Sequence, residues 1–261
     1  MEFIGRRRGT YLPPQHGAWA FVGLPLALAA VVTPWSPLLL PLTLGWITAY
    51  PLSYAALGLA RARHRRRFAR PLLLWTAAAL PPAAVLVVAR PWLVRVGAGY
   101  LALFAVNLWF ARRNDERALG NDLVLVVECT TMVPVTWAVA VGHRSWSAPA
   151  LTAVPERVWV LTIVCALVLI GSTVQVKSLV RERRDPRYRR ASRAFALVAL
   201  LASVVLADRW GWPGGTWLVV PFAVLALRAF VAGRRPLRPA AIGMVELGGF
   251  LLVAAGAALA A

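Results

Sequence analysis

Nine apolar runs set the limits on what this chain can fold into. They fall at about 17–33, 38–60, 71–89, 96–110, 123–141, 158–176, 194–207, 216–231 and 240–260, most of them near the roughly 20 residues that carry a helix across a bilayer. Lipid offers no partner to a backbone N–H or C=O, so such runs close their hydrogen bonds internally as helices. The chain therefore reads as all-α: a polytopic transmembrane helical bundle in a single membrane domain, 1–261, with no linker long enough to set off a soluble one. A hydrophobic content of 60% against 15% charged residues, with a mean hydropathy of +0.66, departs from soluble proteins in the same direction. The twelve tryptophans suit interfacial belts. Pro34 and Pro37 bracket a tight turn, Pro41 and Pro51 predict a kink in the second helix, and Pro81-Pro82 predicts an interruption of the third.

Charge sets the topology. Of the 29 Lys and Arg residues, 23 fall in one alternating set of flanks and connections, 1–16, 61–70, 111–122, 177–193 and 232–239, against five in the other set. This asymmetry predicts a cytoplasmic N-terminus and, after nine spans, an outside C-terminus. The net charge of +19 then orients helices and meets anionic headgroups at the cytosolic face, which excludes nucleic acid as a partner. Arg6, Arg7 and Arg8 ahead of the first run resemble a signal-peptide start with Ala27-Leu28-Ala29 as the cleavage site. The first run is read instead as an uncleaved helix, because the later runs need the membrane too. Cys129 and Cys165 lie inside apolar runs as packing residues, and no CxxC or His/Cys cluster suggests zinc, a redox dithiol or haem.

The polar residues in or beside the helices gather toward one side. Arg112 to Glu128, RRNDERALGNDLVLVVE, carries two Asn-Asp pairs, Asn114-Asp115 and Asn121-Asp122, with Glu116 and Arg117 between them. Glu128 lies roughly 9 Å beyond Asp122 along a helix. An ionisable group at that depth must face protein or water and marks function. Gln15 and His16 enter the first helix, Asn107 sits a turn from the end of the fourth, and Gln175 and Lys177 close the sixth ahead of Arg181, Glu182 and Arg183. Glu246 lies in the ninth at a depth similar to Glu128. Together they predict a cavity open to the cytosol and lined by carboxylates, amides and bases. Structural alternatives stand beside each reading. Asn114 or Asn121 caps a helix; Lys177, Arg181 and Arg184 form one basic face that anchors headgroups; His16 is a hinge beside Pro13 and Pro14; Glu128 and Glu246 satisfy structural polar contacts. His64 and His143, in hydrophilic loops, receive no role.

Three stretches together resemble the YwiC-like family of bacterial membrane proteins: Pro14-Gln15-His16-Gly17-Ala18-Trp19, Asn114-Asp115-Glu116-Arg117 with Asn121-Asp122-Leu123, and Val176 to Arg183 (VKSLVRER). That resemblance implies a bacterial inner-membrane protein and supplies no activity. A more distant one is to UbiA-type intramembrane prenyltransferases, which have nine helices and an Asp-rich motif at the inner ends of helices two and six. It implies Mg²⁺ bridging carboxylates to an isoprenyl diphosphate. Arg61 to Pro71 looks like the Arg-rich tail of the first motif, and Lys177 to Asp185 stands where the second belongs. The first motif itself is missing: Leu57 to Arg61 reads LGLAR, without a carboxylate. In the second, Ser178 and Arg181 stand where acids are expected.

On this resemblance, Lys177, Arg181 and Arg183 hold the diphosphate, with Asn114, Arg117, Asn121 and Gln175 also binding substrate. Asp115, Asp122 and Glu128 bind Mg²⁺ or stabilise an allylic cation, and His16 or Glu246 orients the acceptor. Alternatively, arginines neutralise the anion directly, or the fold has lost the chemistry. Two other classes remain open. One is a proton- or cation-coupled transporter using Glu128 and Glu246; the other is a non-catalytic accessory protein docking a cytosolic partner on its basic loops.

Overall fold

A computed structural model describes residues 11–13, 16–61, 66–115, 118–231 and 238–261, the side chains of His16, Pro149 and Pro239 aside. The described chain is helical throughout, without strands. The helices are α1 His16–Val32, α2 Leu39–Arg61, α3 Arg66–Ala89, α4 Leu93–Arg112, α5 Leu119–Val141, a single turn α6 Pro149–Thr152, α7 Glu156–Val176, α8 Pro186–Trp210, α9 Thr216–Val231 and α10 Pro239–Ala260. Each apolar run read from the sequence coincides with a helix. Among the described residues six helices, α3, α4, α5, α7, α8 and α10, are long and apolar enough to cross a membrane. α1 and α9 are shorter apolar helices. α2 has the length, but Thr43, Trp46, Thr48, Tyr50, Ser53 and Tyr54 dilute its hydropathy. The chain is a polytopic integral membrane protein.

Several helices overrun their apolar runs because hydropathy marks only the lipid-facing part, while arginine stems continue it through the interface. α3 starts at Arg66 and α8 at Pro186. The start of α8 is fixed locally: Asp185 Oδ1 accepts from Arg187 N at 2.8 Å, and Pro186 occupies the first turn, where a missing N–H costs nothing. The interruption predicted at Pro81-Pro82 does not occur. α3 runs through both prolines to Ala89, as membrane helices do where neighbouring groups take up the freed carbonyls. Pro41 falls in the first turn of α2 and so gives no cause for a kink.

The chain forms two compact units. One comprises α2, α3, α4, α6 and most of α5; the other comprises α1, Cys129–Pro134 of α5, and α7 to α10. In the first, α2 packs along α3 and both touch α4. Gly58 makes the α2–α3 approach possible, because a methyl group there would collide with the Phe68 ring. Tyr54 meets that ring edge-on at 6.1 Å. In the second, α8 lies between α7 and α9, α9 packs on α10, and α10 returns to α7. Short connections between antiparallel neighbours bring the C-terminal ends of α7 and α9 beside the N-terminal ends of α8 and α10.

Candidate functional site

That shared end of α7 to α10 holds a dense buried polar group. Gln175 is in the last turn of α7 and Ser192 in the second turn of α8, where Ser192 Oγ donates to Gln175 Oε1. Arg228, in the last turn of α9, reaches Glu246, two turns into α10, with Nη1 and Oε2 2.5 Å apart. Their side chains are only 15% and 7% exposed. With Ser172, one turn before Gln175, these residues line a cavity of about 20 Å³ walled by Phe195, Phe222 and Phe250. The space takes about one water molecule. Ser172 Oγ and Arg228 Nε are buried there without a hydrogen-bond partner, and Glu246 Oε2 meets Arg228 as an ion pair rather than an aligned hydrogen bond. Buried polar atoms are nearly always paired. An unmatched hydroxyl and an unmatched guanidinium N–H at one cavity suit a guest able to accept from both, water included. Gly249 lies at this α9–α10 contact, where a Cβ on it would lie 2.8 Å from the Leu225 Cδ2 methyl.

Basic residues follow the cavity-lining Gln175 and Ser192 in the chain. Past Val176 the α-helix gives way to a π-helical turn, Lys177–Arg181, closed by Glu182 N donating to Lys177 O at 2.8 Å. Such turns redirect side chains and recur at functional sites. This one buries Lys177 and Ser178 while Arg181, Arg183 and Arg184 are exposed. The continuous basic face expected of Lys177, Arg181 and Arg184 is therefore broken: widening the turn removes the 3.6-residue spacing it needs. Arg193, one residue past Ser192, lies over the Phe230 ring at 5.4 Å, and its Nε is buried without an acceptor. Asp185 serves as the N-cap of α8.

The Asn-Asp stretch belongs to the other unit. Asn114 ends α4 in the left-handed conformation, φ 56°. Asp115 N donates to Phe110 O at 3.0 Å and Asn114 N to Ala111 O at 3.1 Å. These two bonds make a Schellman C-cap, and asparagine tolerates its positive φ. Asn114 and Asp115 are both exposed in that turn. The helix-capping alternative holds for Asn114. It does not hold for Asn121, which lies in the first turn of α5 behind the N-cap residue Ala118. Asn121 and Asp122 are half-buried. Deeper in α5, Glu128 Oε1 accepts from Asn107 Nδ2 at 3.0 Å and its backbone carbonyl accepts from Tyr100 Oη at 3.0 Å. Trp46 of α2 meets the Tyr100 ring edge-on at 5.8 Å.

Of the residues singled out by sequence, Gln175 and Glu246 come together at one cavity, with Lys177 buried beside it in the chain. Asp115, Asp122 and Glu128 do not form the expected metal trio. Among the described residues no three His, Cys, Asp or Glu side chains are grouped to hold a metal ion. Asp115 is turned out by the cap, while Glu128 lies more than a helical turn below Asp122 and is engaged by Asn107. Glu116, Arg117 and Gln15 lie outside the described residues, as does the His16 side chain. Sequence reading gave Arg228 no role, although a lone arginine inside an apolar run is itself a signal. Ser172, Ser192 and Arg193 carried none, because a serine in a membrane helix reads as a packing residue until its partner is known.

Residues 12–137 match the family model described as YwiC-like protein. The family this chain resembles is the YwiC-like one. Over 247 residues the chain is 29% identical to "Uncharacterized protein YwiC" of Bacillus subtilis (strain 168), an alignment covering 90% of this chain and 92% of that protein. It is 32% identical over 164 residues to an "Uncharacterized protein" of Haemophilus influenzae, covering 63% of this chain and 65% of that one. No solved structure matches the chain significantly. The family match lies over α1 to α5 and stops short of the α7 to α10 cavity, which the Bacillus alignment is long enough to include in large part.

Proposed function

We propose that this YwiC-like protein sits in the bacterial plasma membrane with its N-terminus in the cytoplasm and binds the charged head of an anionic amphiphile, an isoprenyl diphosphate or a similar lipid, at the shared end of α7 to α10. One observation carries the reading: the half-buried Arg193 and Arg228 there each have a buried Nε that lacks an acceptor, against a single buried carboxylate among the described residues, Glu246. Buried donors without acceptors cost about 1–3 kcal/mol each, and a phosphate group would satisfy several at once in the forked geometry arginine favours. Lys177, Arg181 and Arg183 supply the positive field that draws the head in, and Gln175 and Ser192 position it. Among the described residues no grouped carboxylates call for Mg²⁺ in this reading; arginines do the neutralising, in keeping with a UbiA-like plan whose acidic motifs are degraded. The test is binding of phosphatidate and of farnesyl diphosphate by the protein in phosphatidylcholine nanodiscs. Affinity is expected to fall at least tenfold in Arg181→Gln/Arg183→Gln/Arg193→Gln, and absence of binding across chain lengths refutes the proposal.

The placement of Glu128 and Glu246 inside apolar spans favours a second reading, proton- or cation-coupled transport. Proteoliposome flux unchanged in Glu128→Gln and Glu246→Gln removes it.

A further inference from the structure

We infer that Glu246 is an internal counter-ion that holds the ligand's place on Arg228, and that the 20 Å³ cavity beside it is the closed form of a pocket for a phosphate monoester or diphosphate head. This rests on the anion-binding reading above and says how that site is kept shut. Three features lead to it. The cavity is rich in donors: Ser172 Oγ–H and Arg228 Nε–H are unmatched, and Ser192 Oγ–H is taken by Gln175. Among the lining residues the one carboxylate is Glu246, already set against Arg228, so the space suits an acceptor ligand rather than a cation. The Arg228–Glu246 contact is close but misaligned, leaving Oε2 without a hydrogen bond and Nε unused, so the carboxylate neutralises the guanidinium without filling its fork. A bidentate phosphoryl group would fill it. Finally, a space of one water cannot take a phosphate, so entry requires Glu246 to swing off Arg228.

Ligand and Glu246 therefore compete for the same cation, and removing the carboxylate's charge must strengthen binding rather than weaken it. A merely structural ion pair predicts the reverse. The experiment measures affinity in phosphatidylcholine nanodiscs for phosphatidate and, as separate arms, for pyrophosphate and inorganic phosphate in solution. Glu246→Gln is expected to tighten binding about tenfold. Glu246→Asp, which keeps the charge but draws it back by one methylene, is expected to tighten it about threefold and serves where the amide variant folds poorly. Arg228→Gln/Glu246→Gln, neutral and free of an orphaned charge, is expected to lose binding while keeping its helical circular dichroism. Tightening in the pyrophosphate or phosphate arm assigns recognition to the head alone; tightening confined to phosphatidate adds a requirement for the tail. If the unaltered protein binds and Glu246→Gln is no tighter, or the double variant binds as well as Glu246→Gln, the counter-ion role is overturned while the anion-binding reading stands. If neither the unaltered protein nor Glu246→Gln binds in any arm, both fall.

Discussion

Replacing Arg228 alone by glutamine leaves Glu246 buried without its cation, and the size of that effect follows from the geometry. The two side chains are 15% and 7% exposed and their facing atoms lie 2.5 Å apart. For charge centres about 4 Å apart at an effective dielectric near 20, the direct attraction is about 4 kcal/mol. This agrees with the roughly 3–5 kcal/mol found when one partner of a buried pair is removed. Removing both charges spares the protein two desolvations, so the double variant Arg228→Gln/Glu246→Gln should cost only about 1 kcal/mol or less. Arg228→Gln is therefore expected to lose about 3 kcal/mol, most of it restored by adding Glu246→Gln. The assay is reversible unfolding in mixed detergent micelles, followed by tryptophan fluorescence; Trp210, buried with Nε1 donating to Ala260 O at 2.8 Å, reports on the α8–α10 contact. A double-mutant cycle isolates the coupling. A single-variant loss below about 1 kcal/mol, or a double variant whose cost is the plain sum of the two single costs, would show that the pair is not the buried, coupled contact described here.

Other sites give sharper local expectations. Asn114→Gly should leave stability within about 0.5 kcal/mol, whereas Asn114→Val should cost about 1–2 kcal/mol for forcing a β-branched residue to φ 56°; equal stabilities for the two would contradict the cap. Asp185→Ala should cost about 1 kcal/mol through loss of the cap on α8, with Asp185→Asn nearly neutral; a loss of phosphate affinity with stability unchanged would make Asp185 a ligand-binding residue instead. Asn107→Leu should cost about 1–3 kcal/mol by removing a donor from the Glu128 carboxylate. Adding Glu128→Leu should recover part of that, and thermal unfolding of the purified protein reads both.

Hydropathy and length alone determined that the chain spans a membrane and where its helices fall, because lipid leaves the backbone no partner but itself. Glu128, Gln175, Lys177 and Glu246 also stood out at once, since a polar group in an apolar run costs free energy unless something answers it. What answers it was not legible. Nothing in the order of residues pairs Glu246 with Arg228 rather than with Lys177, nor joins Gln175 to Ser192; those matches depend on which helix faces meet, and that is fixed by packing at residues such as Gly249. The Asn-Asp stretch misled for a related reason. A motif of acids and amides advertises metal ligands by composition, but a side chain serves as a ligand only if its backbone aims it inward. At Asn114 and Asp115 the backbone is instead spent ending α4. Residue type set which groups were able to carry charge in the membrane, and only the tertiary structure decided which of them face one another.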